Sequence, residues 1–325
     1  MLTRRRLIAL SSAQFVAPSL IGSTARAESA SDFPNKPVHF MVPVAAGGPT
    51  DIVARMLADK LSRMWGQQVV VENKGGAGTN LGNEYVARAD PDGYNMLFAT
   101  ASLAVNVSLY SSLTYDAVAD FAPVSLVTEL AYYMFVPNSS PFHSVKDYID
   151  YAKAHPGKLT VGSPGTGSAP YLAEMLFMLI AGIKITHVPY RGASPAFADL
   201  LPGRIDTYFG SGTLLSYSRS GQVRCLGMTG TKRDAAAPDV PTIAEAGVHG
   251  YEVNAWQGLF APAKTPPAIV NKVSADTRTA LNDPALKEKL AQSGYVAKGS
   301  TPEDLAKLLK ADIAKWSYVV KATGL

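Results

Sequence analysis

The chain has 325 residues, 47% of them hydrophobic and 17% charged, with a formal net charge of +4. The leader's arginines contribute to that charge and the rest is nearly balanced, so nothing points to nucleic acid. Cys225 is the single cysteine. That excludes an intrachain disulfide, and its apolar setting over Val223–Met228 predicts a buried small side chain far from any lipid-anchoring position.

Arg4-Arg5-Arg6 precedes an apolar run, Leu7–Ile21, that is too short and too interrupted by Ser11, Ser12, Pro18 and Ser19 to span a bilayer. Ala25-Arg26-Ala27 supplies small-x-small spacing, so residues 1–27 read as an export signal cleaved after Ala27. Thr3–Ile8 also fits a twin-arginine signal, and that route and general secretion both stay open. About 300 residues follow, enough for two domains.

Val38–Val42 reads as a buried parallel strand followed by a helix over Ile52–Trp65. Gln68–Glu72 and Asn95–Ala99 are further predicted strands, with a glycine-rich turn and the helix Leu81–Ala89 between them. This alternation predicts an α/β fold with a parallel sheet covered on both faces. The pattern restarts with a strand at Tyr132–Val136, a helix at Val145–Ala154 and a strand at Thr160–Gly162. A helix at Leu172–Ile180, a strand at Ile185–Val188, a short helix at Pro195–Leu201 and strands at Asp206–Phe209 and Val223–Met228 follow. Pro266–Leu281, Pro284–Gln292 and Pro302–Ala322 are predicted helices, each opened by a proline. Crossovers between two α/β units are expected near Ser125–Tyr132 and Tyr251–Gly258.

Two glycine-rich strand-to-helix turns carry the functional signal. Val44-Ala45-Ala46-Gly47-Gly48-Pro49-Thr50-Asp51 closes the first strand, and Gly162-Ser163-Pro164-Gly165-Thr166-Gly167-Ser168 closes its counterpart in the second half. Each places free N–H groups and small hydroxyls at a helix start, where an anion is favoured. Ala45, Ala46, Gly47, Gly48 and Thr50 are therefore candidate ligand contacts, as are Ser163, Thr166, Gly167 and Ser168, one of which is expected to serve as an N-cap. Gly47 and Gly48 are also what a tight turn needs without any ligand. Asp51 is read as structural, paired with Arg55 at i,i+4, because a carboxylate would repel an anion. Thr100 and Ser102 follow a strand end and either meet a ligand or cap the next segment. Tyr190, Arg191 and Gly192 follow another strand end, with Arg191 either a bidentate carboxylate clamp or a solvated arginine. Ser211, in Phe209-Gly210-Ser211-Gly212, is placed at the pocket floor, and Trp256 is expected to pack at a crossover.

The ordered set of motifs resembles the Bug-type (tripartite tricarboxylate transporter) solute-binding receptors. Its members here are Pro34–Val38, Val42–Asp51, Val71–Gly78, Ala89–Tyr94, Gly162–Ser168, His187–Gly192, Pro241–Gly247 and Trp256–Leu259. The resemblance implies a periplasmic, two-lobed, type II-like binding protein, with two parallel-rich sheets flanked by helices and a ligand cleft between the lobes. Lobe 1 would comprise residues 28–128 and 254–325, and lobe 2 residues 129–253. A small organic carboxylate would sit between them, anchored partly at Ala45–Gly48, for delivery to membrane permease subunits. Pro164 departs from the expected pattern by removing one N–H donor. No cofactor or metal is expected, and a monomer is.

Two other readings compete. An exported serine hydrolase would need Ser163 or Ser211 within reach of His187, with an acid behind the histidine. A ligand sensor acting on a signalling partner would share the fold, and the sequence does not separate it from a transport receptor. The other histidines are scattered, and no nucleophile-elbow motif is present.

Overall fold

The computed structural model describes residues 33–165 and 168–323. The export-signal reading of residues 1–27 and the candidates Thr166 and Gly167 lie outside these. The first half contains β1 (Val38–Val42), α1 (Pro49–Trp65), β2 (Val69–Asn73), α2 (Asn80–Ala87), β3 (Asn95–Thr100) and α3 (Ser102–Leu109). β4 (Phe121–Pro137) leads into α4 (Val145–Ala154), β5 (Thr160–Ser163), α5 (Ala169–Ala181), β6 (Thr186–Pro189) and α6 (Ala193–Leu200). Next come β7 (Thr207–Ser211), α7 (Leu215–Arg219), β8 (Val223–Met228) and β9 (Asn254–Pro262). The chain ends with α8 (Pro267–Leu281), α9 (Pro284–Gln292), β10 (Val296–Ala297) and α10 (Pro302–Thr323).

The strand order β2-β1-β3-β9-β4-β7-β5-β6 links two parallel-rich regions through two long antiparallel strands. β1 pairs in parallel with β2 and β3, and β5 in parallel with β6 and β7. β4 pairs with β9 from Phe121 to Ala131, then changes partners to β7 and β8 from Tyr132 onward. Apolar runs such as Phe40–Val42 and Met96–Ala99 are buried because helices cover the faces of these sheets. α1 exposes Arg55, Lys60 and Arg63 at the surface or its margin while burying Val53, Ala54, Leu57, Ala58 and Leu61, as its 3.6-residue periodicity requires.

The expected crossover at Ser125–Tyr132 is strand throughout, and the one expected near Tyr251–Gly258 runs into β9 from Asn254 onward. Buried hydroxyls hid this β-pattern. Ser125 Oγ donates to the Ser300 carbonyl at 2.9 Å and Thr128 Oγ1 to Gln257 Oε1 at 3.0 Å, so polar residues sit inside the sheet with their bonds made. At the point where β4 changes partners, Thr229 accepts from the Tyr132 N–H at 2.8 Å and donates to the Val253 carbonyl at 2.6 Å. This one buried hydroxyl ties both connecting strands together. Cys225 is half-buried against the second-half core, less enclosed than its apolar setting suggests.

α2 lies close enough to β1 that Gly82 admits no side chain. A Cβ there would come within 2.7 Å of Pro43 Cβ and 2.9 Å of the Lys74 carbonyl oxygen. Gly82→Ala is expected to cost about 1–3 kcal/mol through this overpacking, read as a lower urea midpoint with an unchanged m-value.

Candidate functional site

Strands of one parallel region all deliver their C-terminal ends to the same side, and ligands bind there. Here the turns after β1, β3, β5, β6 and β7 converge on a cavity of about 870 Å³ between the two halves. Its first-half wall includes Pro49, Thr50, Thr100, Ala101 and Ser102. The second-half wall includes Pro164, Ala169, Ser194, Phe197, Ser211 and Tyr217. β4 and β9 contribute Tyr132, Asn254, Trp256 and Gln257 at the back. Among the described residues, no Lys, Arg, His, Asp or Glu lines it. A second depression of about 500 Å³, beside α2, is lined by Lys74, Glu84, Arg88 and Asp90 and lies away from these strand ends.

The α1 turn is held by Asp51. Its carboxylate, nearly buried, accepts from the Gly47 N–H at 2.8 Å and from Arg55 Nε at 2.9 Å. It also accepts from Asn73 Nδ2 at 2.9 Å, and the same amide donates to the Val44 carbonyl at 3.1 Å. Burial raises the Asp51 pKa, but the bonds from Arg55, Gly47 and Asn73 outweigh it and hold the carboxyl below its ordinary value. Gly47 has φ +79°, the left-handed region that makes glycine the natural residue there. Gly48 is extended, and its helix start carries no side-chain cap. The Thr50 and Asp51 N–H groups therefore have no carbonyl four residues back within the helix.

Thr50, Thr100, Ser102 and Ser211 line the cavity. Thr50 Oγ1 accepts from Gln257 Nε2 at 3.3 Å, and Ser211 and Thr213 bond to each other at 2.7 Å. Ala45, Ala46 and Gly47 are exposed and Gly48 half-buried on the loop preceding α1, outside the lining set. Ser163 is fully buried, with Oγ 2.7 Å from His187 Nε2 and accepting from the Gly165 N–H at 3.2 Å. Ser168 is the α5 N-cap, accepting from the Tyr171 N–H at 3.4 Å. Tyr190 donates to Asp199 at 2.9 Å, and the Gly192 N–H is bonded to the Pro164 carbonyl. Arg191 is exposed.

The rest of the lining was not singled out in the sequence. Tyr132, Phe197, Tyr208, Tyr217 and Tyr295 look like ordinary core aromatics until the topology gathers them. Trp256 packs in the core as expected and also lines the cavity, with its indole N–H turned to Asp312 at 2.6 Å. The signal that would have pointed to Gln257 and Asn254 is their polarity at the start of an otherwise apolar strand.

Such a cleft, with paired α/β halves and helix starts facing a shared cavity, defines a bilobed solute-binding protein. A model of the tripartite tricarboxylate transporter family receptor matches residues 53–325, and the chain belongs to that family. Receptors of this family are periplasmic. A UPF0065 protein from the tcbD-tcbE intergenic region of Pseudomonas sp. strain P51 is 37% identical, over 98% of this chain and 94% of its own. The Rhodopseudomonas palustris protein Rpa4515, solved with adipate, is 34% identical with a TM-score of 0.76, covering 90% of this chain and 99% of its own. MatC (Rpa3494) from the same organism, solved with malate, is 33% identical with a TM-score of 0.73, covering 89% and 100%. No helix among the described residues is long and apolar enough to cross a membrane.

Asp51 generates a stability prediction. Its folded pKa is depressed, so its contribution is present above the ordinary value of 3.8 and is lost as pH falls through the folded value. Asp51→Asn is expected to cost about 1–3 kcal/mol at pH 7, the scale of unsatisfied buried partners, discounted because Arg55 is half-exposed. In thermal melts the gap between the two proteins should close as pH drops below 3.8.

Proposed function

We propose that the chain captures a small organic carboxylate in the interlobe cleft and delivers it to the membrane permease subunits of a tripartite tricarboxylate-type transporter. The observation that carries this reading is a cavity, free of charged side chains among the described residues, onto which the starts of α1, α3, α5 and α6 converge. Helix starts and hydroxyls together favour an anion without a fixed cation. The adipate- and malate-bound relatives support the ligand class. Residues 28–128 and 254–325 act as one lobe and 129–253 as the other, a division supported by the change of β4 partners near Tyr132. Residues 1–27 serve as the export signal, and the mature receptor acts as a monomer.

Hydrolysis is the reading disfavoured. Ser163 and His187 are paired, but Ser163 is fully buried and outside the cavity lining, and no carboxylate hydrogen-bonds His187 among the described residues. Burial also lowers the His187 pKa, so the ring sits neutral as a packing and hydrogen-bonding group against Tyr171. A fluorophosphonate probe is expected to leave the protein unlabelled. Stoichiometric modification of Ser163 would return the chain to the hydrolases.

Thermal melts against a panel of mono-, di- and tricarboxylates test the receptor reading. At 100 times its dissociation constant a ligand adds about 2.7 kcal/mol, a rise of several degrees for a chain of this size. Ser102→Ala and Thr50→Val should each weaken binding about 10–150-fold, as loss of one charge-assisted hydrogen bond does, and for Ser102→Ala the ligand-free melting temperature stays within a degree or so. Unchanged affinity in both would remove the first-half wall from the site.

A further inference from the structure

The two walls of the cleft differ in chemistry. On the first-half side, the starts of α1 and α3 leave the N–H groups of Thr50, Asp51, Ser102 and Leu103 without a partner within their helices, beside three hydroxyls. Trp316, which also lines the cavity, has an indole N–H with no hydrogen-bond partner. On the second-half side, among the described residues, fewer helix-start N–H groups are left, those of Ala169, Ala193 and Ser194. Pro164, Pro170 and Pro195 have no N–H, the Ser168 side chain already caps the Tyr171 N–H, and the Gly192 N–H is bonded to Pro164. The Ser211 and Thr213 hydroxyls bond to each other.

What the second-half wall offers instead is apolar surface. Phe197, Leu201, Tyr208, Leu214 and Tyr217 lie together along it. Phe197 packs edge-on to Tyr217 at 4.8 Å and lies 6.2 Å from Tyr208. Tyr217 is nonetheless 37% exposed, a large ring with one side unpacked at the cavity. Apolar surface of this extent gains when a matching apolar group displaces its water. A second ionised group placed against that apolar surface would lose hydration with no cation among the described lining residues in return.

We infer that the ligand of this chain is a monoanionic carboxylate with an apolar aromatic or alkyl body. Its head meets the starts of α1 and α3, and its body lies against Phe197, Leu201, Leu214 and Tyr217. This rests on the carboxylate reading above and sets the chain apart from relatives solved with dicarboxylates.

Calorimetry of the purified protein with 3-phenylpropanoate, hexanoate, adipate and citrate tests it. Hexanoate and adipate share a chain length and differ by one carboxylate. Phenylpropanoate and hexanoate are expected to bind at least ten-fold more tightly than adipate, with citrate weakest. Leu201→Arg, which places a cation on the apolar wall, should reverse the order of hexanoate and adipate. Adipate binding as tightly as hexanoate in the unaltered protein would overturn this inference and leave the carboxylate reading standing. Binding of none of the four acids would overturn both. The unaltered protein decides the matter even where Leu201→Arg fails to fold.

Discussion

The antiparallel pairing of β4 with β9 is the constraint on which the cleft depends. β9 carries β3 on its other edge, with Thr100 opposite Gln257, and Gln257 stands opposite Thr128 of β4. Farther along the same strand, Tyr132 stands opposite Ser211 of β7. Thr128 and Tyr132 are four residues apart, about 14 Å at the usual strand rise, so one strand spaces the two sets of loop ends. Register is protected by buried polar bonds. A slip of one residue would strand the Thr128–Gln257 pair and the Thr229 ties to Tyr132 and Val253, leaving buried groups unsatisfied. The same crossing point is where β4 changes partners from β9 to β7.

Magnitudes show how a cavity without a fixed cation can hold an anion. Micromolar affinity corresponds to about 8 kcal/mol. A helix start contributes roughly 0.3–1 kcal/mol when exposed and up to about 2 when partly buried, so two starts fall short. Hydrogen bonds to a charged group add about 1.5–3 kcal/mol each, and the lining around Thr50, Thr100 and Ser102 carries several amides and hydroxyls of that kind. These values apply only when water is kept away, which an open cleft does not do. In the receptor reading proposed above, closure of the second half over the bound acid is therefore part of the affinity. The apolar side of the cavity, built around Phe197 and Tyr217, excludes the water that would otherwise screen those bonds.

The parallel units and their helix starts were legible in the sequence because each carries its own local signal: a short apolar run, a small-residue turn and a helical period. Asp51 was read correctly as a structural partner of Arg55 from its i,i+4 spacing, and its bonds to Gly47 and Asn73 add what spacing cannot show. The long strands were not legible. Ser125 and Thr128 break the apolar pattern of β4, and the bonds that make them tolerable come from residues 129–175 positions away. The aromatic wall was hidden for a similar reason. Phe197, Tyr208 and Tyr217 have core-like spacing within their own elements, and only the chain's return through β7 sets them beside a cavity. Ser163 and His187 show the converse: residues with a catalytic look that the fold joins at 2.7 Å, yet with the serine fully buried outside the cavity lining.

A cleft with no cation among its described lining residues has a physical advantage for a protein that must exist empty as well as loaded. An arginine buried in the cavity would need a partner in the unliganded state, and leaving it unpaired would destabilise that state by several kcal/mol. Helix starts and hydroxyls have no such cost, because water satisfies them when the cleft is open and the ligand replaces that water when it shuts. Arg55, the arginine closest to the α1 start in the network, is neutralised by Asp51 and directed away from the cavity lining. With Asp51 it holds the shape of the loop before α1. In the proposed receptor such binding is strong only in a closed form, so opening alone would release the anion, without a charge pair to break. That is the property a receptor handing its ligand to a membrane partner requires.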